Sequence, residues 1–529
     1  MFTGCGSDNG SSSAKSASAA SAASAANDTV DEDGKVNGIM YQEGLPLVDE
    51  GDYTFSIFCD DSSESGEFIM LDEFKKQTNV DVDLKIYPYE TATERLNLDL
   101  NSGDYADVIG GWTLSDNAIL TYGVNQGVFI PLEDYFEKYC PNISAILDLP
   151  GVREKMTAPD GHIYTIPYVC ADSTVGYSPY INTKWLENVG MSMPTTTDEF
   201  EAVLKAFKEQ DANGNGDASD EIPFSTDPNN KHIEAMAGYF GLPMNKLGIA
   251  IQNEKVVYGG VSDTYREFLS WFHKLYAEGL VDVELYTQDS STWEGKGNQD
   301  LYGVSIAYGS NEFTGIPAAE ERGDFDSMPV LNTDKDGIWL RDTEGFSVYR
   351  TQAVITNKAE HPEIICRWFD NAFALENGIG CNRGPVGVIV NKEDDGYHAI
   401  DTTTLSEEDQ EKYSWGNLWP QSLPKYLPAD FEFVEEHPMY DEKKATEEAY
   451  EANLTKEIIP SYWIDLDKID TFSDTNTAIK DFFEQQQAQF VCGELDIDND
   501  ADWQAYVDGM YSLGLEDWVA TQGIEEIAK

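Results

Sequence analysis

Between Tyr53 and Ile109 the apolar residues change period four times, and this alternation restricts the possible fold more than any other feature of the chain. Tyr53, Phe55, Ile57 and Cys59 alternate with smaller or polar residues, the period of two that turns one strand face toward a core. Phe68, Leu71 and Phe74 follow at helical spacing, and Val80, Val82, Leu84 and Ile86 then alternate with Asp81, Asp83 and Lys85. Strand, helix, strand predicts a right-handed βαβ unit in a mostly parallel sheet. Leu98 and Leu100 run to a helix stop at Ser102-Gly103-Asp104, and Val108-Ile109 reads as a short buried strand. Farther on, Thr196 and Glu199 have capping-box spacing ahead of Phe200, Val203, Leu204 and Phe207 on one helical face. A second helix is predicted from Tyr265 to Glu278, and a third carries Trp503, Tyr506, Val507, Met510 and Leu513 up to Gly514. The class is α/β, and 529 residues are too many for one core, so two or more lobes are expected.

Acidic residues number 97 against 34 basic ones, a net charge of -63. Such a field excludes nucleic acid as a partner, because that binding depends on Lys and Arg neutralising phosphates. No apolar run is long enough for a transmembrane helix. The seven cysteines show no zinc or C-x-x-C spacing, and Cys59, Cys170 and Cys366 lie in apolar runs as core residues would. Phe2-Thr3-Gly4-Cys5, followed by a Ser/Ala-rich stretch to about Ala26, resembles the end of a bacterial lipoprotein signal. That resemblance implies lipidation at Cys5 and a flexible tether ahead of a fold that starts near Gly51.

The segment with most chemical content is Asp211-Ala212-Asn213-Gly214-Asn215-Gly216-Asp217. Counted from Asp211, oxygen-bearing side chains fall at positions 1, 3 and 5 and glycine at 6, the first half of an EF-hand loop. Asp217 is placed to contribute its main-chain carbonyl, and Asp220 and Glu221 supply the closing carboxylates. Pro223 disfavours a helix directly after the loop, so a single structural calcium site is expected and not a paired sensor. A solvated acidic turn is the competing account, since such residues also make good turns. A second acidic run, Asp496 to Asp502, lacks the bend glycine, and Asp500 or Asp502 is better placed at a helix N-terminus.

Several stretches are similar to the extracellular solute-binding proteins of carbohydrate ABC importers. They are Met156 to Tyr164, with Ala158-Pro159-Asp160-Gly161 at its centre; Ile181 to Leu186 followed by Met193 to Thr197; Gln126 to Leu132; and Glu360-His361-Pro362-Glu363. The 211–221 loop resembles that of the calcium-containing alginate oligosaccharide-binding members. The resemblance implies a two-lobed α/β fold of the periplasmic-binding-protein type II, with ligand in the interlobe cleft. It places lobe 1 at 51–172 plus 327–375, lobe 2 at 173–326 plus 376–529, and the tether at 1–50. It also implies a monomer, anchored outside the cell membrane by lipid alone, that delivers sugar to importer permease subunits.

Sugar rings present apolar C–H faces and hydroxyl edges, so a site needs aromatic platforms and polar partners. Trp112, after Gly110-Gly111 at a strand end, and Tyr308, after Val304 to Ala307, have that setting. So do Trp415 and Trp419 in the Ser414 to Pro420 loop, Arg383 beside Gly384-Pro385, and Asp60 and Asp61 after the first strand. Trp185, Trp271 and Trp368 fall on amphipathic helices and are expected in cores. The acidic charge argues mildly for a neutral oligosaccharide. No nucleophile, zinc-hydrolase or phosphate-loop motif is present, so no catalysis is expected. The alternatives are a polysaccharide-processing enzyme hiding a carboxylate pair, or a calcium-dependent adhesin.

Overall fold

A computed structural model describes residues 28–61, 67–227, 233–315, 323–400, 402–428, 431, 433–434 and 438–528. A short hairpin of β1 (Lys35–Val36) and β2 (Met40–Tyr41) precedes β3 (Tyr53–Asp60). β3 runs parallel to β4 (Val80–Tyr87), with the Ile69–Thr78 helix between them, and parallel to β5 (Val108–Gly110). β6 (Thr165–Ala171) joins through β13 (Phe346–Ile355), which is antiparallel to both β5 and β6, completing the order β4-β3-β5-β13-β6. The βαβ unit expected from the alternating periods is thus the nucleus of the first sheet.

A second sheet has the order β12-β7-β11-β8, from β7 (Ser178–Asn182), β8 (Ile222–Thr226), β11 (Tyr302–Ala307) and β12 (Phe325–Ser327). Beside it lie β9 (Ile249–Gln252) and β10 (Lys255–Tyr258), the latter paired with the C-terminal β16 (Glu526–Ile527). β14 (Val390–Glu393) and β15 (Gly396–Ala399) form a separate hairpin. The capping signals act as read: Thr196 Oγ1 accepts the Glu199 amide at 3.2 Å and starts the Thr197–Glu209 helix. Phe200, Val203, Leu204 and Phe207 on that helix are all buried, each worth about 1.5–3 kcal/mol of transfer free energy. Ser262 caps the Asp263–Ala277 helix, and Asn499 caps Asp500–Ser512, with Asp500 and Asp502 in its first turn.

Each sheet has its own core. The first sheet buries Phe55, Ile57 and Trp368 on one face and Phe58, Ile109 and Val354 on the other. The second packs Trp185, Phe224, Phe272 and Val304. The Ile469–Cys492 helix spans both bodies: Ile469 packs with Phe58 and Ile109, whereas Ile479, Phe483 and Phe490 pack with the second core. This one helix therefore packs in both cores.

Three expected boundaries need correction. Residues 28–50 belong to the fold and not to a tether, because Val36, Met40, Leu47 and Val48 are buried against the first core. Met328, Val330, Leu331 and Trp339 pack in the second core, beyond the boundary expected at 327. Cys381, Trp419 and Leu423, expected in the second lobe, pack with Phe74 and Trp368 of the first. Burial against a distant partner, which no local period encodes, set all three. Cys5 lies outside the described residues.

Candidate functional site

The carboxyl ends of β3 and β5 lie side by side because the strands are parallel, which is where open α/β sheets hold ligands. Asp60 ends β3, fully buried, and its carboxylate accepts the backbone amides of Trp112 at 2.9 Å and Thr113 at 2.6 Å. Burial raises its pKa, and these amides oppose the rise. Gly111 has φ +135°, and a Cβ there would overlap the Asp60 carboxylate, so glycine is what lets the turn close on Asp60. The outcome is a presented ring. Trp112 is 45% exposed and stands edge-on to Tyr349 at 5.3 Å, with Tyr168 stacked on Tyr349 at 5.4 Å.

Asp61 serves the neighbouring loop. Its Oδ2 accepts the Gln421 amide at 2.7 Å, and Ser422 Oγ donates to the Asp60 carbonyl. Gln421 Nε2 in turn donates to the carbonyls of Trp415 and Trp419, both at 2.9 Å. The two tryptophans of this loop part company. Trp415 is 55% exposed. Trp419, expected in the site, is fully buried and stacks on Trp368 at 5.7 Å, so it is a core residue. Asp60 and Asp61, expected to face ligand, instead hold the loops that present Trp112 and Trp415. Arg383 sits near Phe433 at 6.0 Å and donates to the Asn382 carbonyl, with burial pulling its pKa down to about 10.

Between β6 and β7 the chain crosses from the first body to the second, and Asp172 stands at the crossing. It accepts Tyr308 Oη at 3.0 Å from the second body and Ser347 Oγ at 2.5 Å and Tyr349 Oη at 3.3 Å from the first. Tyr308, Asp172, Tyr349 and Trp112 therefore form one connected array across both halves. Beneath it, Lys443 Nζ lies 3.9 Å from the Tyr308 ring centroid and donates to the carbonyls of Gly176 and Tyr308. Asp342 accepts the Gly176 amide and Glu312 the Tyr308 amide. Burial raises both carboxyls to about 6 and lowers Lys443 to about 8. Asp172, Tyr168 and Tyr349 were not singled out from sequence. Ser347 and Tyr349 share a strand face by alternation, the one local signal that could have flagged the tyrosine.

The Asp211–Glu221 loop joins the Thr197–Glu209 helix to β8. Its oxygens first build the turn: Asp211 Oδ2 accepts the Gly216 amide, Asn213 Oδ1 the Asn215 amide, and Asn215 Oδ1 the Asp217 amide. The Asp217 carboxylate turns to Ser219, and Asp220 takes the side-chain amides of Asn213 and Asn215. Glu221 Oε1 accepts the Ala212 amide, and burial raises its pKa. Two buried oxygens remain without a partner, Asp211 Oδ1 and Glu221 Oε2. Unpartnered buried carboxylate oxygens at both ends of an all-oxygen loop suit a hard divalent cation.

Residues 61–378 match the family of bacterial extracellular solute-binding proteins. The chain belongs to this family. Among relatives of this solute-binding protein, the fructooligosaccharide ABC transporter substrate-binding protein FusA of Streptococcus pneumoniae is 33% identical over 335 residues. That alignment spans 61% of this chain and 61% of the relative, so it covers less than two thirds of either. The solved structure of S. pneumoniae FusA in complex with kestose has a TM-score of 0.78 at 26% identity, covering 89% of this chain and 98% of that one. A FusA EF-hand mutant in complex with fructo-nystose matches at 0.76 and 27% identity. The alginate-binding protein AlgQ2 without calcium ion matches at 0.72 and 22% identity, a likeness of fold. The resemblance read from Met156 to Tyr164 and the other stretches is borne out at the level of the family. In this solute-binding protein, an exposed indole and a carboxylate that collects hydroxyls from both halves belong to one array. Among the described residues no helix is long and apolar enough to cross a membrane.

Proposed function

We propose that this chain captures an extracellular oligosaccharide between its two lobes and delivers it to the permease of an ABC importer, held at the membrane through a lipid on Cys5. The observation that carries the reading is the Trp112–Tyr349–Asp172–Tyr308 array. One exposed indole offers a stacking face, and one carboxylate gathers three hydroxyl groups from both bodies. FusA, whose name gives a fructooligosaccharide ligand, supports a carbohydrate in this role. Sugar hydroxyls replace or extend the hydrogen bonds at Asp172. A ligand that touches both lobes shifts the population toward the closed form. The proposed platforms are Trp112, Trp415 and Tyr308, with Arg383 at the rim.

Calcium is the proposed structural cofactor. Asp211, Asn213, Asn215 and Glu221 would hold it, with Asp220 beside them and Asp217 through its main chain. When bound, the ion supplies positive charge to the two unpartnered oxygens. It lies on the loop before β8 and takes no part in ligand chemistry.

Isothermal calorimetry with kestose and a panel of oligosaccharides tests the reading. Trp112→Ala should weaken binding at least tenfold, about 1.4 kcal/mol, with little change in melting temperature. Steady release of reducing ends, or no carbohydrate bound from the whole panel, would overturn it.

A further inference from the structure

We propose that Cys140 and Cys366 are a disulfide pair, oxidised as the chain folds outside the cell, and that their bond staples the first core across more than two hundred residues of sequence. The inference is independent of which ligand the cleft takes.

Cys140 joins two helices, Glu133–Tyr139 and Pro141–Leu147. Cys366 lies in the Pro362–Ala372 helix, which packs against both. Asp370 fixes that packing. Its Oδ1 accepts the Ile143 amide at 2.8 Å, and its Oδ2 and carbonyl accept the Asn142 side-chain amide at 3.0 and 3.1 Å. Residues four apart share a helix face, so Cys366 lies one turn before Asp370, on the face turned to residues 140–143. Its neighbours there are Tyr135 and the Cys140 thiol, which it meets at hydrogen-bonding range. Cys140 is 1% exposed and Cys366 0%, and both belong to one core. The other described cysteines meet different groups. Cys59 Sγ lies 3.1 Å from Ser422 Oγ, Cys170 meets the Tyr168 hydroxyl, Cys381 faces the Lys425 ammonium, and Cys492 meets Tyr276. Among the described residues, Cys140 and Cys366 are the one place where thiol meets thiol.

The structure holds both thiols in the reduced form. Disulfides form and persist in oxidising, extracellular settings, and the family is extracellular. On oxidation two S–H bonds break and one S–S bond forms. The two electrons and two protons pass to a small-molecule or protein disulfide, which leaves as two thiols. Burial pushes the Cys140 thiol well above its ordinary pKa, so in the folded chain it is neutral and shielded. Exchange therefore belongs to folding, before the pair is buried. A cross-link constrains the unfolded chain more as the closed loop lengthens, and this loop takes in most of the second sheet. The bond would also anchor the N-terminal segment. Arg367, next to Cys366, donates to the carbonyls of Tyr41, Gln42 and Gly44.

The test unfolds the full chain in denaturant, refolds it in a buffer of oxidised and reduced glutathione, quenches it in denaturant with iodoacetamide, and maps the digest by mass spectrometry. The expected product is one cross-linked peptide pair holding Cys140 and Cys366, released by dithiothreitol. Cys59, Cys170 and Cys381 should be alkylated as fully as in a reduced control. The chain refolded in dithiothreitol should melt at least about 4 °C lower than the oxidised chain, and this difference should vanish in Cys366→Ala. The cross-link and the melting shift are both read on the unsubstituted chain, so they stand even where the variant fails to fold. Free thiols at both positions after refolding, a bond from either to another cysteine, or glutathione adducts in place of the bond would overturn the proposal. A cross-link that leaves the melting temperature unchanged would overturn it too, because the bond would then staple nothing.

Discussion

Calcium should stabilise the second lobe, and the size of the effect follows from the two oxygens left without partners. Asp211 Oδ1 and Glu221 Oε2 are both buried and unbonded. Each such group costs about 1–3 kcal/mol, so an ion that satisfies both can recover about 2–6 kcal/mol. Ligand linkage bounds the same quantity independently: at about a hundredfold excess over Kd the native state gains about 2.7 kcal/mol. For a cooperative unit of 150–250 residues, about 2–4 °C of melting temperature accompanies each kcal/mol. The second lobe should therefore melt about 5–11 °C higher in calcium than in chelator. Differential scanning calorimetry should show this as movement of one transition, since the first core shares few residues with the loop. Asp211→Asn keeps an acceptor for the Gly216 amide but removes charge from the unpartnered oxygen, and should remove most of the calcium-dependent shift. Identical melting in calcium and chelator, with no calcium uptake by calorimetry, would refute the reasoning.

Three further outcomes are expected. Burial raises Asp342, Glu312 and Asp370 to about 6, above their unfolded values near about 4. The folded state thus binds more protons over that interval. The stability these groups contribute is fully present below about pH 4 and lost as pH rises through about 6, so in chelator the melting temperature should fall between about pH 5 and about pH 7; a rise over that range would contradict the assignment. Trp419→Ala should destabilise by about 3–5 kcal/mol in denaturant titration while ligand affinity holds, whereas Trp415→Ala should do the reverse; equal effects would erase the distinction between core and platform. Gly111→Ala should push the Asp60 carboxylate off the Trp112 and Thr113 amides and weaken sugar binding at least tenfold, and unchanged calorimetric affinity would show that this strut does not position Trp112.

Much of the site was legible where one local feature sufficed. Gly110-Gly111 ahead of Trp112 marks a strand end with a turn that only glycine can make beside Asp60. The spacing of Asp211, Asn213, Asn215 and Gly216 marks a loop that turns oxygens inward. Trp415 and Trp419 show the limit. They sit four residues apart in one loop with similar neighbours, and only contact with Trp368 and Phe74 on other segments makes one a core residue. Asp172 gave no signal because its three hydroxyl partners come from Tyr308, just past the end of β11, and from β13, more than a hundred residues away.

By itself the sequence determined the α/β class, the βαβ nucleus at Tyr53 to Tyr87, the helix cap at Thr196, and the oxygen-rich turn that opens at Asp211. Each of these is written in side-chain periods or hydrogen bonds that close within about ten residues. Tertiary structure alone decided which body claims Cys381, Trp419 and Leu423, and which tryptophans reach solvent. Those outcomes depend on burial against partners brought together across the chain, which is not encoded in the spacing of neighbouring residues.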